Sequence, residues 1–289
     1  MSEVLDLKHR RKNNYSKIKS ANTFIVVIII IVLAVALTTV GIKASDSLFG
    51  AKGQVKSLCP DGMVFVSGST GGFCLDKYED SAGAGCQLSD PSGEQDSQKN
   101  INNSNCQAVS VAGAVPWRNL TQIQAINLCA KAGKHLPTSE DWFAGSIGTP
   151  DKNSGWSVDD CQVNNNWSQQ PGLTGSGKNC VSYAGAYDMI GNVWEWVAGA
   201  VQDGKYQGNL LPDEGYIKGV NSAGIPTASD LNQADSNYND DYLWIKNTGS
   251  RGIARGGYWS NGDQAGQYSS YIVTLPSDIG PGMGFRCAK

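Results

Sequence analysis

The chain has 289 residues, 40% of them hydrophobic, with 35 glycines, eight tryptophans and eight cysteines. Its formal net charge is −3, yet residues 1–43 hold seven Lys/Arg against two Asp/Glu, and the remainder holds sixteen against twenty-four. So acidic an outer portion lacks the basic footprint of a nucleic-acid binder, and the glycine and tryptophan content favours a loop-rich domain over a helical bundle.

In chain order, residues 1–23 read as a basic cytoplasmic tail and Phe24–Ile42 as a transmembrane helix. That run is free of charge. At ~1.5 Å per residue it spans roughly the ~30 Å hydrocarbon core of a bilayer. Lys8, Arg10, Arg11, Lys12, Lys17 and Lys19 precede it. The positive-inside rule then predicts a single-pass cell-membrane protein, with a cytoplasmic N-terminus and an extracellular C-terminal domain. A cleaved signal peptide and a pilin-like leader cut near Ser20-Ala21 are the alternatives. Residues 43–58 form a linker, and 59–289 a single domain.

All eight cysteines (59, 74, 86, 106, 129, 161, 180 and 287) lie beyond the hydrophobic run. An even number suggests up to four disulfides in an oxidising compartment, with 105 possible pairings. Zinc is the competing reading, but no C-x-x-C occurs and His135 is the sole histidine of that portion. Met63–Val66 and Phe73–Glu79 predict a hairpin. Residues 80–110 lack an apolar period and read as a surface insertion. A helix follows, capped by Asn119 or Thr121, with Ile123, Ile126, Leu128 and Cys129 on its apolar side and Gly133 at its end. A second helix is capped by Thr138 or Ser139. Residues 145–180 and 199–250 read as polar loops, long enough to suggest a functional role.

Four blocks occur in order: MVFVSGSTGGFCLDKYE, CAKAGKHLPTSEDWF, GAYDMIGNVWEW, and RGGYW with a terminal GFRC. Together they resemble the formylglycine-generating-enzyme, or sulfatase-modifying-factor, family. The resemblance implies an α+β, C-type lectin-like fold: loop-rich, with short antiparallel sheets and two helices. It also implies a Cys129–Cys287 bond, leaving local pairs Cys59–Cys74, Cys86–Cys106 and Cys161–Cys180. Trp142, Trp194, Trp196 and Trp259 suit the core of such a domain. Gly191 and Asn192 suit a tight turn. Arg255 and Arg286 are expected to meet backbone carbonyls or buried carboxylates such as Glu195. Relatives can bind calcium near this turn, where Asn192 and Glu195 offer oxygens; otherwise no cofactor or metal is expected.

Oxidase members of the family bind copper through two cysteines after the GG-S-[WY] turn. The matching positions here are Asn261 and Gly266, which offer no soft sulfur ligand. His135 stands alone, against the histidine cluster of the related iron-dependent sulfoxide synthases, and reads as structural. No catalytic residue is assigned.

Residues 255–287 further resemble the variable region of proteins diversified by retroelements. Arg255, Gly256, Gly257, Trp259, Gly262, Ala265, Gly266, Pro276, Ser277, Gly284, Phe285, Arg286 and Cys287 are the fixed letters. Tyr258, Ser260, Asn261, Tyr271, Val273, Thr274, Asp278, Gly280 and Gly282 are the varied, ligand-binding ones. Two tyrosines among small residues resemble antibody paratopes. The resemblance implies a surface-displayed, receptor- or adhesin-like protein whose partner is a protein or glycan on another cell or virus. An oxidase or pseudoenzyme, and an envelope or filament subunit, are the alternatives.

Overall fold

The computed structural model describes residues 58–68, 71–280 and 282–289. The expected single-pass anchor is corrected: among the described residues no helix is long and apolar enough to cross a membrane. Phe24–Ile42 lies outside the described residues, and the membrane placement built on it is not carried further.

The chain opens with the expected hairpin, β1 (Met63–Gly68) and β2 (Gly71–Asp76), paired antiparallel. Residues 80–110 are not a plain insertion. They contain β3 (Asp80–Ala82), helix α1 (Glu94–Asn102) and β4 (Ala108–Ser110), with β3 and β4 paired. So the described residues hold three helices rather than two. No apolar period announced α1 because the residues it buries are polar, Ser97 and Asn100. Asn100 binds both the amide and the carbonyl of Leu88, and Ser97 Oγ accepts from Trp117 Nε1.

Helix α2 (Gln122–Lys131) starts at Thr121, which forms a reciprocal capping box with Gln124. Asn119 sits just outside with φ 58°. The buried side of α2 carries Gln122, Gln124, Ala125, Leu128 and Cys129. Ile123 and Ile126, expected inside, are 50% and 42% exposed. Gln122 takes the inner place because its amide donates to the carbonyls of Val197 and Gly199. Helix α3 (Ser139–Ser146) is capped by Thr138, paired with Asp141, and buries Trp142.

The main sheet is mixed, which corrects the expectation of antiparallel sheets alone. Its strands are β5 (Trp194–Gln202), β6 (Lys205–Tyr206), β7 (Asn209–Leu210), β8 (Gly215–Val220), β9 (Pro226–Asp230), β10 (Tyr242–Ile245), β11 (Ser250–Arg255), β12 (Ser270–Ile272) and β13 (Met283–Phe285). Their order is β7-β6-β5-β11-β12-β10-β8-β9, with β13 added beside β5. Five of these strands lie within 199–250, which the sequence presented as a loop. They are short and polar on one side, as in the half-buried alternation of β8. Strand β5 is central: β11 pairs with it antiparallel and β13 parallel, so that Glu195 lies opposite both Arg255 and Gly284.

Two apolar cores flank this sheet. Leu75, Trp142, Met189, Val197, Ile217, Leu243 and Ile253 form one. Leu120, Leu128, Trp194, Trp196, Phe285 and the Cys129–Cys287 sulfurs belong to the other. The Cys129–Cys287 bond implied by the resemblance is present, as are the three local pairs Cys59–Cys74, Cys86–Cys106 and Cys161–Cys180.

Candidate ligand-binding surface

The C-terminal segment rests on a charged, fully buried anchor. Arg286 Nε and Nη2 donate to the two oxygens of Glu195, at 2.7 and 2.5 Å. Its Nη1 and Nη2 also donate to the carbonyls of Asp76 and Tyr187. Trp142 Nε1 completes the carboxylate at 2.7 Å. Burial opposes the charge on Arg286, but Glu195 outweighs it and holds the arginine pKa above its ordinary value. A bidentate pair with further hydrogen bonds on both partners is the arrangement in which a buried ion pair is tolerated.

This anchor bears on the expected calcium ligands. Both Glu195 oxygens are occupied by Arg286 and Trp142. Asn192, at φ 55°, accepts from the Gly172 amide and donates to Glu79. Both groups are therefore engaged by hydrogen bonds inside the protein. Asp80, Cys129 and Cys287 bring metal-ligating atoms together, but the two sulfurs are bonded to each other. His135 exchanges backbone hydrogen bonds with Ala288, a structural position.

The fixed letters Arg255, Ala265, Phe285, Arg286 and Cys287 are all at most 1% exposed, whereas fixed Trp259 is half-buried. Of the nine varied positions, Ser260 and Asp278 are exposed, and Tyr258, Asn261, Tyr271, Val273 and Thr274 are half-buried. Gly280 and Gly282 are buried, which corrects their place in the contact surface. Gly282 has φ +81°, and a Cβ there would stand 2.9 Å from Tyr258 Cδ2 and 3.0 Å from Trp259 Cζ3. It serves the aromatic pair rather than a ligand.

Tyr258 begins a turn closed by Asn261, whose Oδ1 accepts from the Tyr258 amide at 2.9 Å. The rings of Tyr258 and Trp259 meet edge to face, 4.8 Å apart. Ser260 projects from this turn and lies 3.5 Å from Asn165 Nδ2. Tyr271 lies on β12 beside Trp244 of β10, and its ring is 5.7 Å from Trp194. Tyr258, Tyr271 and Trp244 all pack on the core that contains Trp194 and Met283. Burial, and then Tyr258, raises the Tyr271 pKa, so its phenol stays protonated at neutral pH. Val273 and Thr274 follow β12, and Asp278 closes a separate turn by accepting from the Leu275 amide. Trp244 is the residue that sequence reasoning missed. Its signal was the aromatic run YLWI inside an otherwise polar stretch.

Gly266 has a different use. A Cβ on it would overlap the carboxylate of Asp241, which is wholly buried. Asp241 reaches this place from just before β10, held by the Tyr268 amide at 2.6 Å. Burial and the nearby Asp151 push its carboxyl well above the usual range.

A disulfide-stapled α+β domain with a mixed central sheet and a largely irregular, internally anchored C-terminal segment is of the C-type lectin-like kind. The chain belongs to the family described as the sulfatase-modifying factor enzyme 1-like domain, which matches residues 69–289. No curated protein sequence matches it. Solved structures similar to it include the Major Tropism Determinant I1 variant, at 16% identity and TM-score 0.43 over 81% of this chain and 53% of that one. Treponema denticola variable protein 1 is 15% identical, with TM-score 0.39 over 80% of this chain and 99% of that one. PvdO from Pseudomonas aeruginosa is 16% identical, with TM-score 0.39 over 75% and 80%. The chain spans about half the length of the Major Tropism Determinant chains it matches.

Proposed function

We propose that this protein is a non-enzymatic ligand-binding member of its family, with a diversified contact surface in residues 255–287. The observation that carries it is the division of labour in that segment. Most fixed letters are buried and hold the backbone, while seven of the nine varied letters reach solvent. Ser260 and Asp278 are exposed, where substitutions change stability by only about ±0.5 kcal/mol, and the other five present part of their surface to solvent. The surface comprises Tyr258, Ser260, Asn261, Tyr271, Val273, Thr274 and Asp278, with Trp244 as an unvaried aromatic beside Tyr271. Rigid aromatic rings among small polar groups suit a protein or glycan ligand.

The oxidase reading fits these residues poorly. Asn261 and Gly266 carry no sulfur, Asp241 fills the space a side chain at 266 needs, and the described residues hold no free cysteine.

The test is at the gene. A near-copy of the codons for 255–287, with substitutions among sister genomes confined to adenine positions of the seven surface codons, is the expected finding. Uniform codons with no second copy would remove the proposal.

A further inference from the structure

Beside Cys287, where the variable segment ends, three ionisable side chains come together. Lys134, just past α2, places Nζ 2.5 Å from Oδ1 of Asp76, the last residue of β2. The Asp76 side chain is 0% exposed and that of Lys134 16%. The other Asp76 oxygen, Oδ2, accepts from the Cys287 amide at 3.0 Å. The third group is Asp80, the first residue of β3, which is 0% exposed and has no hydrogen-bond partner on either carboxyl oxygen. One of those oxygens lies within 4.8 Å of the Cys287 sulfur. Burial first, and then Asp76, push the Asp80 pKa well above the usual carboxylate range, with Lys134 opposing them. Asp80 therefore keeps its proton at neutral pH.

A buried ion pair accounts for Lys134 and Asp76 and leaves Asp80 without a use. A buried polar group with no partner is destabilising and calls for a reason. An amine in contact with a carboxyl group, an amide N–H on that carboxyl and a protonated acid beside it are the parts of an amide condensation. Nitrogen at hydrogen-bonding distance from Oδ1 is close to the near-attack separation of about 3–3.5 Å from the carboxyl carbon.

We propose that Lys134 and Asp76 condense into an isopeptide bond, with Asp80 transferring the protons. One proton first crosses the hydrogen bond, turning the ammonium–carboxylate pair into an amine and an acid. The Nζ lone pair then forms a bond to Asp76 Cγ, and the Cys287 amide stabilises the negative charge that develops on Oδ2. Asp80 gives its proton to Oδ1, which departs as water, and takes one from Nζ, so it ends as it began. The products are one amide and one water, with no change of oxidation state. Exclusion of water favours the neutral amide over two buried charges. Residues 287–288 run beside both partners, since the Asp76 amide donates to the Cys287 carbonyl and His135 exchanges backbone bonds with Ala288. The bond thus fastens the end of 255–287 by a link that, unlike Cys129–Cys287, no reductant opens.

Protease digestion and mass spectrometry of the full chain, denatured and with its disulfides reduced, test this. The parent should yield one branched peptide joining the segments around Asp76 and Lys134, lighter than their sum by one water. D80N should slow the linkage about hundredfold or more, the loss of a general acid, and leave most of the chain with both peptides free. K134R keeps a cation beside Asp76 but no primary amine; it should give only free peptides, retain the far-UV circular dichroism of the parent, and unfold at lower temperature than the parent under reducing conditions. Free, full-mass peptides from the parent overturn the proposal. So does a branched peptide that joins other residues, or one that forms in D80N as fast as in the parent.

Discussion

Glu195 and Gly266 are both buried and obey opposite rules. Glu195 is tolerated because Arg286 and Trp142 take both of its oxygens. Removing one partner leaves a buried charge unpaired, so R286M should cost about 3–5 kcal/mol in urea unfolding. S260R, on the exposed turn, should stay within about ±0.5 kcal/mol. At Gly266 the constraint is space. G266C should lower stability by about 1–3 kcal/mol through overpacking against Asp241, and the purified variant should convert no cysteine-containing sulfatase peptide in the presence of copper. The Glu195–Arg286 pair was legible in part: the sequence offered Glu195 to Arg255 and Arg286 alike, and only Arg286 takes it, while Arg255 meets neutral partners. Asp241 behind Gly266 was not legible. It stands 25 residues away in a stretch that reads as loop, and nothing local says that its carboxylate turns inward.

Helix α1 is an element that hydrophobic patterning cannot find. Its inner face is made of a serine and an asparagine, and its position is set by the Cys86–Cys106 bond, Asn100 and Trp117. The double variant C86S/C106S should lose about 3 kcal/mol in the chain-entropy account of a loop of this length. Hydrogen exchange should report that loss first in 94–102, while β5 and β11 keep their protection. Breaking Cys129–Cys287, which closes a separation of 158 residues, should cost more, about 5 kcal/mol on the same account, and should act on the whole domain. The capped helices α2 and α3 were legible because Thr121 and Thr138 carry their signal locally. The strands between 205 and 245 were not, because a two- to six-residue strand is defined by its neighbours across the sheet rather than by its own letters.

At the scale of the molecule, an excess of buried acid sets the response to pH. Burial raises Glu79, Asp80 and Asp241 well above the carboxylate range, and Asp151 and Asp188 up to about 7. Each folded-state carboxyl therefore keeps its proton to higher pH than the unfolded chain does. The stability this confers is fully present below the ordinary carboxylate range, about pH 4, and is lost as pH rises through about 7. Asp96 and Asp160 are lowered, Asp96 to about 2, and act in the opposite sense only in stronger acid. Tm should thus be highest near pH 4 and fall toward pH 8. The double variant D151N/D188N should flatten that fall, by at most about 1.4 kcal/mol per pH unit for each proton removed.

Residues 255–287 run from β11 through β12 to β13, and β11 and β13 lie on the two sides of β5. The two ends of the segment are consequently fixed about 10 Å apart, two strand spacings. For a chain closed over a fixed gap, doubling its free length costs only about 0.6 kcal/mol of entropy. Past Thr274, whose carbonyl accepts from the Gly252 amide, residues 275–280 belong to no strand, and the Ile123 amide of α2 holds the Pro276 carbonyl. A contact surface of the kind proposed is thus open to changes in length as well as in letters, with the gap across β5 left unaltered.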